Sequence, residues 1–107
     1  MNSATRRQQI EEMLKNEPND EFLRYGLAME HLSAGEAELA IRQLRDLIAL
    51  NPAKPYVPAF QIAAQALVKL GRAGEAIPLL RDGVAAAQKQ GNDHAAGEMQ
   101  VLLDSVE

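Results

Sequence analysis

Apolar residues return at intervals of three and four along almost the whole chain, and no stretch alternates apolar with polar. That period predicts helices and no strands. Six segments follow from the pattern and its punctuation. The first, 5–16, carries Ile10, Met13 and Leu14 on one stripe, with Ser3 or Thr5 as its cap. Glu17-Pro18-Asn19-Asp20 ends it, because proline lacks an N–H, and Asn19 or Asp20 can accept the free amides that open the next helix. The second, 21–34, offers Phe22, Leu23, Leu27, Ala28, His31 and Leu32 for contact, and Gly35 supplies the turn after it. The third, 36–50, gathers Ala37, Ala40, Ile41, Leu44, Leu47 and Ile48 on one side. A stiff link with three prolines, 51–58, leads into the fourth. Pro58 suits that helix's first position, and Phe60, Ala63, Ala64, Leu67 and Val68 carry it to Leu70. Gly71 and Gly74 mark the next turn. The fifth helix, 75–90, has Pro78 near its first turn, and Gly91 can end it in the left-handed conformation. Asn92 or Asp93 caps a sixth helix whose face is Ala95, Met99, Leu102 and Val106.

The order of residues repeats. Ala40-Ile41-Arg42-Gln43-Leu44-Arg45-Asp46 returns as Ala76-Ile77-Pro78-Leu79-Leu80-Arg81-Asp82, and Gly35 and Gly71 precede the two copies at the same offset. A fixed period of this size marks stacked repeats. Small residues fall where two helices of a hairpin would cross: Ala28 with Ala40, and Ala64 with Ala76. Close approach needs small side chains there. Leu27 and Leu44 in the first unit, and Ala63 and Leu80 in the second, fill the space beside the crossing. The pairs Glu38/Arg42 and Arg42/Asp46 read as a solvated outer face.

Composition narrows the function. The 107 residues make one small domain, 47% hydrophobic but only 4% aromatic, which suits closely packed helices. There is no cysteine, so disulfides and thiolate chemistry are out. A net charge of −4 argues against a nucleic-acid partner. No apolar run reaches the roughly 18 residues of a membrane helix, and the first residues do not form a secretory signal, so the expected location is the cytoplasm.

With Leu27, Ala28, Gly35, Ala40, Ile41, Leu44 and Pro52 in one unit, and Phe60, Ala64, Leu67, Gly71, Ala76, Ile77 and Leu80 in the next, the chain resembles the tetratricopeptide repeat (TPR) family. The resemblance implies an all-α superhelix of about six antiparallel helices, in the manner of small bacterial two-repeat proteins. Repeat 1 covers 21–54 and repeat 2 covers 57–91, with capping half-repeats at 5–17 and 92–107. Arg24 stands where the family has a tryptophan-like ring, His31 where it has tyrosine, and Gly83 where it has alanine. Gln88 replaces the second unit's proline, so the fifth helix is expected to run longer.

In this family the first helix of each unit lines a concave, protein-binding face. The resemblance places there Phe22, Tyr25, Met29, Leu32 and Ser33, then Gln61, Gln65, Val68 and Lys69, then Ala96, Gln100 and Leu103. It implies a scaffold that holds an extended or helical peptide, with affinity on the order of micromolar. Two alternatives stay open. Phe22 and Tyr25 either line this face or pack on Ile10 and Leu14, and the apolar stripe either takes a partner or joins two copies in a homodimer. The family's carboxylate clamp for chaperone tails is missing, since Tyr25, Met29, Ile62, Asp93 and Gly97 occupy its positions.

Nothing points to catalysis, a cofactor or a metal. His31 and His94 have no companion at ligand spacing, so they read as a packing residue and a surface residue. Glu11, Glu12, Glu36 and Glu38 are solubilising charge. Gly71-Arg72-Ala73-Gly74 lacks the lysine and hydroxyl of a phosphate loop.

Overall fold

A computed structural model describes residues 3–107, with the side chains of residues 3 and 4 outside that description. The described residues form α1 (Ser3–Asn16), α2 (Glu21–Ser33), α3 (Ala37–Leu50), α4 (Val57–Lys69), α5 (Ala73–Lys89) and α6 (Asp93–Val106), and no strand. Each helix packs on its neighbours in sequence, and α4 also meets α6. The even-numbered helices make one layer and the odd-numbered helices the other, an all-α TPR-like superhelix.

Helix ends follow from local chemistry. Asp20 Oδ1 accepts the Leu23 N–H at 2.9 Å, and Asn92 Oδ1 accepts the Ala95 N–H at 3.1 Å, so each caps the helix that follows it. The expected cap of α1 is not Thr5, which lies inside the helix, and the side chain of Ser3 is outside the described residues. Three helices end in one geometry. Gly35, Gly71 and Gly91 have φ of 82°, 76° and 74°, and the next residue's N–H bonds back to His31, Leu67 and Ala87. A side chain would strain that conformation, which explains glycine at all three.

Several boundaries shift by one or two residues, and two of the shifts move a proline or a glycine. The first residue of α4 is Val57, so Pro58 is the second; its missing N–H still costs nothing in the first turn. The first residue of α5 is Ala73, so Gly74 is helical rather than part of the turn. Pro78 is then the sixth helical residue, and it deprives the Gly74 carbonyl of its helical partner. Both residues are exposed, so water can serve that carbonyl. At 17 residues α5 exceeds the 14 of α3, as Gln88 in place of proline suggested.

The small residues expected at the hairpin crossings lie in the interior. Ala28, Ala40, Ala64 and Ala76 are all fully buried, with Leu44, Leu47, Leu67, Leu80 and Met99 as the largest fully buried side chains. The two units divide the space at the crossing differently. In the second, Phe60 sits over Gly83, where a Cβ would lie 2.8 Å from Phe60 Cβ and 2.6 Å from Met99 Sδ. The positions 36 residues earlier hold Arg24 and Leu47. Leu47 is fully buried, while Arg24 reaches outward and its Nε donates to the Pro18 carbonyl at 2.7 Å.

Ion pairs link the units at the surface. Arg72, just before α5, joins Glu38 of α3 to Glu75 of α5, so Glu38 is tied across the units as well as standing on the outer face. Arg6 pairs with Glu30 at 3.2 Å and Arg7 with Glu36 at 3.4 Å, between α1 and the first unit.

The packing separates two glycines. Replacing Gly83 forces Phe60 Cβ, part of a stiff core side chain, to move, at about 1–3 kcal/mol. That exceeds the ~1 kcal/mol a helix gains from glycine to alanine. Gly97, inside α6, has open space around it. In thermal melts Gly83→Ala is therefore expected to lower Tm by several degrees and Gly97→Ala to raise it by a few, about 4 °C per kcal/mol. Shifts of the same sign in both would exclude this account of the core.

Candidate functional site

The even-numbered layer carries a cleft between α4 and α6. It is lined by Gln61, Gln65, Glu98, Val101, Leu102 and Ser105 and encloses about 380 Å³. Leu102 is half-buried and forms the floor, while Val101 stands 71% exposed on the wall. Gln61 Nε2 donates to Glu98 Oε2 at 3.1 Å across the cleft. The Gln65 amide is exposed beside an apolar surface, an arrangement that can meet both side chains and backbone groups of another polypeptide.

The same layer continues onto α2. Phe22 is 73% exposed, so it does not pack on Ile10 and Leu14. Tyr25 lies against Tyr56 of the proline-rich link, with ring centroids 5.4 Å apart and a 46° tilt. Met29 is half-buried, Leu32 and Val68 are half-buried against the core, and Ser33 and Lys69 are exposed.

The α6 residues expected on this face are placed differently. Ala96 and Leu103 are core residues, 6% and 5% exposed, and out of a partner's reach. Gln100 is exposed but lies 200° around the helix from Glu98, and its Nε2 donates to Asp104 Oδ1 at 2.9 Å. The reason is register. Phe60, Ala63 and Leu67 of α4 are buried, and 36 residues later so are Ala96, Met99 and Leu103. The counterparts of Gln65 and Lys69 are thus Val101 and Ser105, both on the cleft. The expected set was one residue out of step, which turns a helix by 100°.

The opposite layer holds a crevice that the repeat pattern did not announce. Leu14 of α1, Pro18, Arg24 and Leu27 of α2, and Gln43 and Asp46 of α3 line about 280 Å³. The sequence signal was Arg24 at a position otherwise given to a ring. Behind it His31 is buried, with its Nδ1 2.8 Å from Gln43 Oε1. His94 is exposed and pairs with Glu98. Among the described residues, no three of His, Cys, Asp and Glu are grouped as they would be around a metal ion. No helix among them is long and apolar enough to cross a membrane.

A TPR repeat-containing protein of Pseudomonas aeruginosa is 30% identical to this chain over 94 residues, 88% of each. The chain belongs to the tetratricopeptide repeat family. The solution structure of a protein from Bordetella parapertussis matches it with a TM-score of 0.77 at 25% identity, over 94% of this chain and 85% of that one. No family model matches the sequence.

Within this TPR chain the tyrosine pair is the most readily observed part of the layer, because there is no tryptophan and no third tyrosine. Burial, and then the neighbouring Tyr56, raises the pKa of Tyr25. Burial, then Glu21 and Asp20, raises that of Tyr56. A raised folded pKa gives stability that is present below the unfolded value of about 10 and lost as pH rises through the folded value. Phenolate absorbance should therefore titrate above pH 10 in the folded chain, with loss of stability beginning in the same range. Titration at the ordinary phenol value would show that the rings do not shield each other.

Proposed function

We propose that the chain is a protein-interaction module that holds a peptide or helical segment of a partner along α2, α4 and α6. What supports the reading is the α4/α6 cleft, where Val101 and Leu102 offer apolar surface beside the amides of Gln61 and Gln65. The contact set is then Phe22, Tyr25, Met29, Leu32 and Ser33 from α2, Gln61, Gln65, Val68 and Lys69 from α4, and Val101, Leu102 and Ser105 from α6. Apolar side chains of the ligand lie near Phe22, Met29 and Val101, and its backbone meets the glutamines. Binding rather than chemistry is the proposed role: of the polar groups on the cleft, Ser105 Oγ donates to the Leu102 carbonyl at 2.6 Å and Glu98 accepts from Gln61, so both are engaged in holding the helices.

A second reading is a homodimer through the same surface. Phe22 and Val101, the most exposed large apolar side chains, favour it. Both readings fit a cytoplasmic scaffold, and light scattering separates them. A monomer that takes a peptide supports the first, and a dimer that Val101→Glu dissociates supports the second.

Peptides selected against the purified chain from a random phage-displayed library test the site directly. Tyrosine fluorescence should follow their binding, with Kd on the order of micromolar. Met29→Glu and Val101→Glu are each expected to weaken it at least ~10-fold, about 1.4 kcal/mol, while Lys89→Glu on α5 leaves it unchanged. Peptides indifferent to both substitutions would remove the cleft from consideration.

A further inference from the structure

We propose that the crevice between α1 and α3 is a second binding site, for a tryptophan or tyrosine side chain of a partner polypeptide. It lies on the odd-numbered layer, away from the α4/α6 cleft, and does not depend on the function proposed for that cleft.

The size of the crevice comes first. About 280 Å³ falls below the ~300–1,000 Å³ of sites for whole small molecules. It is open on one side and suits a single large side chain entering from another polypeptide.

The occupant is indicated by the chain's own second unit. The positions 36 residues after Arg24, Leu27, Gln43 and Asp46 are Phe60, Ala63, Leu79 and Asp82. Phe60 and Leu79 are buried, 3% and 7% exposed, so the second unit closes this region with its own aromatic ring. In the first unit Arg24 and Gln43 stand instead, and both line open space. Leu47, at the place of Gly83, is fully buried, and the crevice opens beside Arg24, at the place of Phe60. A ring is the group that this geometry lacks.

The walls specify which ring. Leu14, Leu27 and Pro18 give apolar contact. The bond from Arg24 Nε to the Pro18 carbonyl at 2.7 Å holds the guanidinium at the wall, where its face can stack on an aromatic ring. Gln43 Oε1 already contacts His31, and the exposed Asp46 carboxylate is the stronger acceptor on the wall. Tryptophan N–H and tyrosine O–H can donate to it, and phenylalanine cannot.

The test is an NMR titration of the ¹⁵N-labelled chain with N-acetyl-tryptophanamide and N-acetyl-leucinamide. The tryptophan probe is expected to saturate with Kd on the order of millimolar, and its shifts should cluster on residues 14, 24–27 and 43–46. The leucine probe should bind at least roughly 5-fold more weakly, since it offers no ring to Arg24. Arg24→Phe, which restores the second unit's residue, should abolish binding. Asp46→Asn replaces an exposed residue and so keeps the fold; it should weaken the tryptophan probe by roughly 3- to 10-fold and leave N-acetyl-phenylalaninamide unaffected. If Arg24→Phe does not fold, the Asp46→Asn comparison decides alone. Equal affinity for tryptophan and leucine probes, shifts clustered on Gln61 and Gln65, or no saturable shifts at all would overturn the proposal.

Discussion

The distance at which two helices of a hairpin can cross governs this molecule. Interaxial separations of ~8–10 Å require that no large side chain intervene. Ala28, Ala40, Ala64 and Ala76 are small enough to meet that condition, and all four are fully buried. Once the alanines fix the separation, the volume beside them is fixed too, and interiors leave few voids. The units satisfy it by opposite assignments. Phe60 with Gly83 puts the bulk on the first helix, and Arg24 with Leu47 puts it on the second. Neither exchange is explicable alone. A side chain at Gly83 would meet Phe60 and Met99, and at the matching place in the first unit Leu47 is fully buried.

Separation alone does not set direction, and the helix ends do that. Gly35 and Gly71 reverse the chain by the same left-handed residue and the same back-bond from the residue that follows. Identical reversals produce identical hairpins, so the units stack with one handedness. Gly91 repeats the geometry after α5, although the corresponding link after α3 is the proline-rich 51–56. That link brings Tyr56 against Tyr25, and Gln90 Nε2 donates to the Pro55 carbonyl at 2.8 Å. Its extra length is thus packed rather than loose.

The helices and their crossings were legible because each rests on local or periodic chemistry. Alanine at 28, 40, 64 and 76, glycine at 35, 71 and 91, and Asp20 as a cap act through near neighbours. The cleft was half legible. On α4 the step of 36 from α2 is anchored by Gly35 and Gly71, and Gln61 and Gln65 lie on the α4/α6 cleft. On α6 the assignment lacked such an anchor, because Gly91 follows Gly71 by only 20 residues, and a slip of one position exchanged Val101 for Gln100. The crevice was illegible for another reason. It depends on where Arg24 directs its guanidinium, a choice settled by the Pro18 carbonyl and Leu47 rather than by any repeat.

The two units also differ in what holds them. Positions filled by Phe60, Ala66, Leu67 and Leu79 in the second unit hold Arg24, Glu30, His31 and Gln43 in the first. Glu30 and His31 are buried, yet Glu30 Oε1 has no hydrogen-bond partner among the described residues. Its other oxygen faces Arg6, which is 57% exposed and so contributes little to stability. Burying a carboxylate that is only half satisfied carries a desolvation cost that Ala66 avoids. The first unit therefore gains less from its interior, and at its edge Ile10 of α1 lies against Gly26 of α2. In a stacked array, stability is a sum over units and their interfaces, so local opening begins at the end with the weaker terms. That end contains the α1/α3 crevice, while the α4/α6 cleft rests on the apolar unit. The crevice is thus the surface that can adjust to an occupant, and the cleft is the one that presents a fixed shape.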